Sequence, residues 1–275
     1  MKIAILLFGH LRTFEYSGKY LMENLANKYD CDIFIHTWDE IDSNTKCWEN
    51  RKRHNLQLND VVVNKIKEIY KPKKLEIGHQ DIQKDCLVVS SDGRKEVSLT
   101  GMKYMFESMK SANNLRKEYE QATETTYDYV LVTRPDVAIY NYLDIAETIN
   151  EAKSLNIDIK NARFFCGLYG SSKTNVRLLI NRVCDILFFA VSEVIDRYIS
   201  ANSNLIFDDI NKNFKNVVSI YVGNEIKAGI IPYECCFEID RDWKNHTPES
   251  LKILFKTKKS KFYKFFHFYW LRGKK

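Results

Sequence analysis

The sequence excludes several chemistries by what it leaves out. No G-x-G-x-x-G follows its first apolar run, and G-x-x-x-x-G-K-[ST], H-E-x-x-H and G-x-S-x-G are all missing. Hydride transfer on a dinucleotide fold, P-loop phosphoryl transfer and zinc hydrolysis therefore lose their usual residues. The histidines at 10, 36, 54, 79, 246 and 267 have no metal-ligand spacing. Seven cysteines, an odd number with no C-x-x-C, give no disulfide framework and fit a reducing cytosol. No apolar window reaches the roughly 18 residues of a membrane span. Its best candidate, residues 176–199, is broken by Arg177, Arg182, Asp185, Glu193, Asp196 and Arg197. The opening run has an apolar core only from Ile3 to Phe8 and no small-residue cleavage site, so it reads as a strand rather than a leader.

Acid is also missing from one end. Residues 251–275 hold eight Lys, one Arg and no Asp or Glu, whereas residues 1–250 carry 33 basic against 36 acidic side chains. The net charge of +6 thus belongs to the tail, and a nucleic-acid-binding body is not expected. Leu251, Phe255, Phe262, Phe266 and Tyr269 fall on one helical face of that tail, flanked by lysines. Aromatics interleaved with Lys describe an interfacial helix on an anionic lipid surface. A basic disordered tail, or a helix packed on the body, is the plainer alternative.

The chain is organised around residues 127–139, YDYVLVTRPDVAI. Residues 129–133 are a continuous apolar, β-branched and aromatic run, as in a central strand buried on both faces. Arg134, Pro135 and Asp136 follow at once. Proline has no N–H and keeps the preceding residue extended, so strand pairing weakens there and the side chains beyond can face a cleft. Ligands of open α/β sheets sit outside the carboxyl ends of strands. Asp136 is the first functional candidate; an Asp that only ends the strand and bonds the next turn is the competing reading.

The remaining elements follow from periodicity. Residues 2–8 and 31–38 read as strands ending in Gly9, His10, Arg12 and in His36, Thr37, Asp39, with a helix over 20–29 between them. Strand, helix, strand opens a doubly wound parallel sheet. A polar surface segment over 40–60, a helix over 61–70 and a strand over 74–77 come next. Residues 79–98 give little signal beyond a turn at 91–94 and are expected to be a surface insertion. A helix over 99–121 presents Met102, Met105, Phe106, Met109, Ala112 and Leu115 on one face; its polar residues Lys103, Ser108, Lys110 and Asn113 are read as looking either toward the carboxyl edge of the sheet or, more plainly, into solvent. A helix over 143–155, a strand over 164–168 leading to the turn Gly170, Ser171, Ser172, and a long helix over 175–200 are expected after it. Residues 202–216 read as a polar segment containing Asp208 and Asp209, followed by a strand over 217–222, a helical turn from Gly223 and a last strand within 229–240.

In a parallel sheet the ends after residues 8, 38 and 133 share one edge. Arg12 or Arg134 can pair a diphosphate bidentately, and Asp136 can hold Mg²⁺ or Mn²⁺ bridging that diphosphate.

MKIAILLFGHLRTFE, CDIFIHTWDE, SMKSANNLRKEYE and YDYVLVTRPDV together resemble the bacterial GT-A-type glycosyltransferases of capsule and lipooligosaccharide gene clusters, over roughly residues 1–140. FFCGLYGSS and GNEI resemble later parts of that domain more loosely. The resemblance implies an α/β fold: a single Rossmann-like GT-A domain over residues 1–245 with a mostly parallel central sheet, followed by the basic aromatic tail, 246–275. It implies that Gly9, His10 and Arg12 lie beside the nucleotide and diphosphate, and His36 and Asp39 near base and ribose. Asp136 would stand as the last carboxylate of a D-x-D motif whose first acid is replaced by Arg134 and whose middle residue is Pro135. Mn²⁺ or Mg²⁺ is the implied cofactor, with Asp136 as its only remaining motif ligand. An inverting enzyme also needs a general base, for which Glu225, Asp240 and Asp242 are the candidates.

The expectation is a peripheral enzyme at the inner face of the cytoplasmic membrane. It would move a sugar from a nucleotide-sugar donor to a lipid-linked or surface glycan. Two alternatives stay open: transfer of a phosphate-linked group from a nucleotide donor to a glycan, and a non-catalytic membrane-surface scaffold on the same fold.

Overall fold

The computed structural model describes residues 1–42, 56–83, 85–89, 96–139, 142–166, 186–208 and 228–235. These build an α/β fold around a seven-stranded sheet: β1 (Lys2–Phe8), β2 (Asp30–Trp38), β3 (Lys74–Gly78), β6 (Tyr129–Thr133), β7 (Ala162–Cys166), β8 (Leu187–Ala190) and β9 (Ile231–Cys235). A separate hairpin pairs β4 (Leu87–Val89) with β5 (Glu96–Ser98). The helices are α1 (Phe14–Asn24), α2 (Asp60–Tyr70), α3 (Leu99–Thr123), α4 (Ile145–Ser154) and α5 (Ser192–Asp208). Strand order in the sheet is β3-β2-β1-β6-β8-β7-β9, and only β8 runs antiparallel to its neighbours.

The first half of that order positions the site. β1 is flanked by β2, with Leu7 opposite Ile35, and by β6, with Leu7 opposite Thr133. Ile3 to Leu7 of β1 are all fully buried, as a parallel strand covered on both faces requires. All four strands β3, β2, β1 and β6 run the same way, so their carboxyl ends open onto one edge.

Helix placement follows from spacing and caps. Asn59 caps α2 by accepting the Val62 N–H (3.1 Å), and Ser98 caps α3 by accepting that of Gly101 (2.7 Å). Phe14, Ser17, Gly18 and Leu21 form the buried stripe of α1. Gly18 is obligatory there, because a Cβ would stand 2.8 Å from the Tyr70 hydroxyl of α2. α3 and α5 are joined through Arg116, 1% exposed, whose guanidinium donates to Asn113 (2.9 Å), Glu120 (2.8 Å) and Asp196 (2.8 Å).

Several sequence expectations need correction. The first helix begins at Phe14 rather than 20 and ends at Asn24, with a 3-10 turn over Ala26–Lys28. The helix expected over 175–200 is, in its described part, strand β8 followed by α5, which carries on to Asp208. Leu187 to Ala190 are wholly buried between β6 and β7, and a short continuous apolar run fits strand or buried helix equally. The weakly patterned region 79–98 contains the β4/β5 hairpin. Ser108 and Asn113 are buried, not solvated, whereas Lys103 and Lys110 do lie at the surface.

The turns at 91–94 and 170–172, the strand over 217–222, the turn from Gly223 and the tail 246–275 fall outside the described residues. No helix among the described residues is long and apolar enough to cross a membrane.

Candidate functional site

At the edge where β1, β2 and β6 end, the chain gathers charge it then neutralises. β1 stops at Phe8, and Gly9 turns the backbone at φ +88°, a conformation that suits glycine. Its N–H donates to Ser108 Oγ on α3 at 2.7 Å. His10 is buried, and its Nδ1 donates to the Glu40 carbonyl at 3.0 Å. Burial pushes that imidazole down to about 4, a shift only partly offset by the Glu40 carbonyl, so it is neutral near pH 7.

Arg12 is left-handed at φ +44°, rare for a residue with a Cβ, and its N–H is held by the Ile41 carbonyl at 3.0 Å. That backbone aims the side chain across the edge. Arg12 Nε donates to Asp42 Oδ1 at 2.7 Å and Nη1 to Asp136 Oδ2 at 3.0 Å. Asp136 also receives Arg134 through Nε at 2.8 Å on Oδ1 and through Nη2 on Oδ2, a two-pronged grip within one turn. Pro135 is fixed as well, its carbonyl accepting from the hydroxyls of Ser17 and Tyr70.

Asp136 is 11% exposed and the two arginines 19%. Burial alone would raise the Asp136 carboxyl, but the charges of Arg134 and Arg12 outweigh it and hold it well below the usual carboxylate range. Burial also opposes charge on Arg12, and the Asp136 and Asp42 carboxylates overcome that, raising its pKa. Two cations are matched by two anions, so the cluster is neutral as a unit.

That arrangement bears on Mn²⁺ or Mg²⁺. Oδ2 of Asp136 accepts from both arginines and Oδ1 from Arg134, so a divalent cation at this carboxylate would stand beside two guanidinium charges. Among the described residues no three His, Cys, Asp or Glu side chains group as a metal ion would need. Among the described residues, the donors around Asp136 do not fit a divalent cation.

The β2 end divides into an inner and an outer part. His36 is 2% exposed, its Nδ1 2.7 Å from Ser108 Oγ, and burial pushes it down to about 4. It lies behind the edge and is bonded to Ser108, which holds Gly9. Asp39 is the outer residue, 35% exposed and 2.6 Å from Nδ1 of His79.

The structure thus brings Gly9, His10, Arg12, Arg134 and Asp136 together, with His36 behind and Asp39 at the flank. Glu225, Asp240 and Asp242 lie outside the described residues. Sequence reasoning missed Asp42 and His79, and it preferred a solvated face for Ser108 over the carboxyl edge of the sheet, where its hydroxyl in fact lies. Ser108 had a signal, since it falls three residues after Met105 and four before Ala112, on the buried stripe of α3. Asp42 sits in an aperiodic stretch and had none.

No curated protein matches this chain. A family model does, over residues 1–162, which takes in β1 to β6, α1 to α4 and every member of the arginine cluster. Because that match spans more than half of the sequence, the chain belongs to the family described as Domain of unknown function (DUF7796).

Proposed function

We propose that the chain is a glycosyltransferase that binds a nucleoside diphosphate sugar at the common edge of β1, β2 and β6 and passes the sugar to a glycan or glycolipid acceptor. The observation that carries this reading is the cluster Arg12, Asp136, Arg134, held at the carboxyl ends of two adjacent parallel strands. Glycosyl transfer from such a donor requires stabilisation of the charge that grows on the departing diphosphate. Guanidinium groups supply it without a metal, and each offers five N–H donors in a flat fork suited to phosphate oxygens. Of the Arg12 donors, Nε and Nη1 serve Asp42 and Asp136. Asp136 acts here as the fixed point that orients both cations. Among the described residues, none beyond its two chain neighbours comes within 4 Å of the place a Cβ on Gly9 would take, which leaves the backbone open beside them.

Glu225, Asp240 and Asp242 remain the candidates for taking the acceptor proton, and the tail 246–275 remains the candidate for attraction to an anionic inner leaflet. The GT-A variant of the α/β fold is part of the same proposal.

One observation favours a second reading. The cluster is neutral, with Asp136 and Asp42 matching both arginines. A body whose cations are fully paired would serve as a non-catalytic scaffold at a membrane surface.

Release of nucleoside diphosphate from UDP-, GDP- and related sugars, with nucleoside monophosphate scored for CMP-sugars, separates the two. Calorimetric binding of the free nucleotides runs alongside. Release or binding with one nucleotide, weakened in Arg134→Met, supports the transferase. Absence of both across the panel would leave the scaffold.

A further inference from the structure

Arg12 is gripped less completely than Arg134. A guanidinium presents Nε–H and one Nη–H side by side, and a carboxylate or phosphate that takes both is held at two points. Arg134 uses that fork in full, placing Nε on Asp136 Oδ1 at 2.8 Å and Nη2 on Oδ2. Arg12 does not. Its Nε meets Asp42 Oδ1 at 2.7 Å, while its Nη1 meets Asp136 Oδ2 at 3.0 Å. Among the described residues, Nη2 of Arg12, the second prong beside Nε, has no hydrogen-bond partner.

The two carboxylates are also anchored differently. Asp136 lies on the turn after β6 and accepts three N–H groups from two arginines. Asp42 comes from beyond the end of β2 and is the more exposed, 18% against 11%. The backbone behind it is fixed without its side chain. The Ile41 carbonyl accepts the Arg12 N–H at 3.0 Å, and the Ile41 N–H donates to the Leu56 carbonyl at 2.8 Å. The Arg12 turn therefore keeps these main-chain bonds when the Asp42 carboxylate lets go.

A diphosphate arriving at Arg12 and Arg134 meets cations already matched by Asp42 and Asp136. Anions held against one guanidinium repel each other, and more strongly in a partly buried site than in water. One carboxylate has to yield, and the one on the half-used fork is Asp42.

We propose that Asp42 is a resident counter-ion that the donor's phosphate replaces. On binding, two phosphate oxygens take Nε and Nη2 of Arg12 and the Asp42 carboxylate turns away; it returns to Nε as the nucleoside diphosphate leaves. The inference rests on the nucleotide-sugar reading and adds to it the residue that sets affinity and favours product release. It also explains why a site for anions is neutral when empty: Asp42 holds Arg12 in place between turnovers and lowers its affinity for phosphate.

The test is calorimetric titration of the full chain with UDP, GDP and CDP at two salt concentrations, for wild type, Asp42→Asn and Asp42→Ala. Circular dichroism checks that the variants fold, and Asp42→Asn keeps an acceptor oxygen for Nε. The preferred nucleotide is expected to bind both variants about tenfold more tightly than wild type, because two arginines then face one carboxylate. Its affinity should also fall more steeply with salt in the variants. A merely structural role for Asp42 would lower affinity instead. Affinity in Asp42→Asn equal to or below that of wild type overturns the exchange and leaves the nucleotide reading intact. Failure of every nucleotide to bind wild type and both variants overturns both.

Discussion

Arg12 Nη1 lies 3.0 Å from the Asp136 carboxylate, joining the turn after β1 to the turn after β6 across 124 residues of sequence. The contact makes Asp136 structural and functional at once. Asp136→Ala is therefore a poor probe of chemistry by itself, because it strands Arg12 and Arg134 beside each other in a site that is four-fifths buried. Breaking a buried pair by removing one partner typically costs about 3–5 kcal/mol. Urea denaturation should show a loss of that order for Asp136→Ala and a smaller one for Asp136→Asn, which keeps an acceptor oxygen. A stability for Asp136→Ala within about 0.5 kcal/mol of wild type, the range of ordinary surface substitutions, would show that the cluster holds nothing together.

The same cluster predicts a response to acid. Asp136 is held below the usual carboxylate range in the folded chain by Arg134 and Arg12, against the effect of burial, and returns to about 3.9 when unfolded. A depressed carboxyl adds stability that is fully present above the unfolded value and is lost as pH falls through the folded one. The gap in unfolding free energy between wild type and Asp136→Asn should thus be constant from pH 7 to about 5 and shrink below about 4. A gap independent of pH down to the acid limit of folding would place the effect elsewhere.

How far the site was legible depends on which forces wrote it. β1 and β6 match the apolar runs at residues 2–8 and 129–133 because strands buried on both faces have no polar positions to blur their limits. The polar residues that follow them, Gly9 to Arg12 and Arg134 to Asp136, were visible for the same reason. Their partners were harder to see. Ser108 follows a run of methionines, and a small hydroxyl there reads as solvated as easily as turned to the sheet edge, where it is in fact bonded to Gly9 and His36. Asp42 meets Arg12 only because Arg12 adopts a left-handed backbone, which no local pattern announces. β8 reads as helix in the sequence because its apolar residues run into α5 across Val191 alone, with no Gly or Pro between them. Those failures are tertiary: each depends on a neighbour far away in sequence.

His79 offers a titration that can be read directly. The hydrogen bond to Asp39 is the main cause that raises its pKa, followed by the Asp39 charge, with Asp81 and Glu40 adding in the same direction. A raised imidazole contributes stability below its unfolded value that is lost as pH rises through the folded one. The ring proton resonance of His79 in a two-dimensional NMR titration should therefore report a pKa above about 6.5, moving down toward that value in Asp39→Asn. A midpoint at or below the ordinary value in wild type would mean that the pair does not persist in solution.

Metal dependence provides a further discrimination. With the Asp136 oxygens taken up by three N–H donors from two arginines, charge on a bound diphosphate is met by guanidinium groups. Nucleotide affinity, and turnover where a donor is found, should be the same in EDTA and in excess Mn²⁺, and should weaken in Arg134→Met. Steep dependence on Mn²⁺, abolished in Asp136→Asn, would mean that the carboxylate leaves its arginines to hold a cation.

Ser108 tests how the glycine turn is supported. Its hydroxyl accepts the Gly9 N–H at 2.7 Å and meets His36 Nδ1 at 2.7 Å, with the His36 carbonyl 3.2 Å away. One oxygen with two lone pairs and one proton satisfies these neighbours together: it accepts from Gly9 and from a protonated Nδ1 while donating to the carbonyl. Burial keeps His36 neutral near pH 7, so no charge competes for the bond. Ser108→Ala removes the shared partner from the half-buried Gly9 N–H and from the buried His36 ring nitrogen, and a buried polar group left unsatisfied costs about 1–3 kcal/mol. The variant should lose about 2 kcal/mol or more in urea, and its nucleotide affinity should fall because the turn carrying His10 and Arg12 loses its anchor. Unchanged affinity with reduced stability would confine Ser108 to packing. Affinity that falls in Ser108→Ala and returns in part in Ser108→Cys, which keeps a weak acceptor at the same place, would make it a positioning residue of the site.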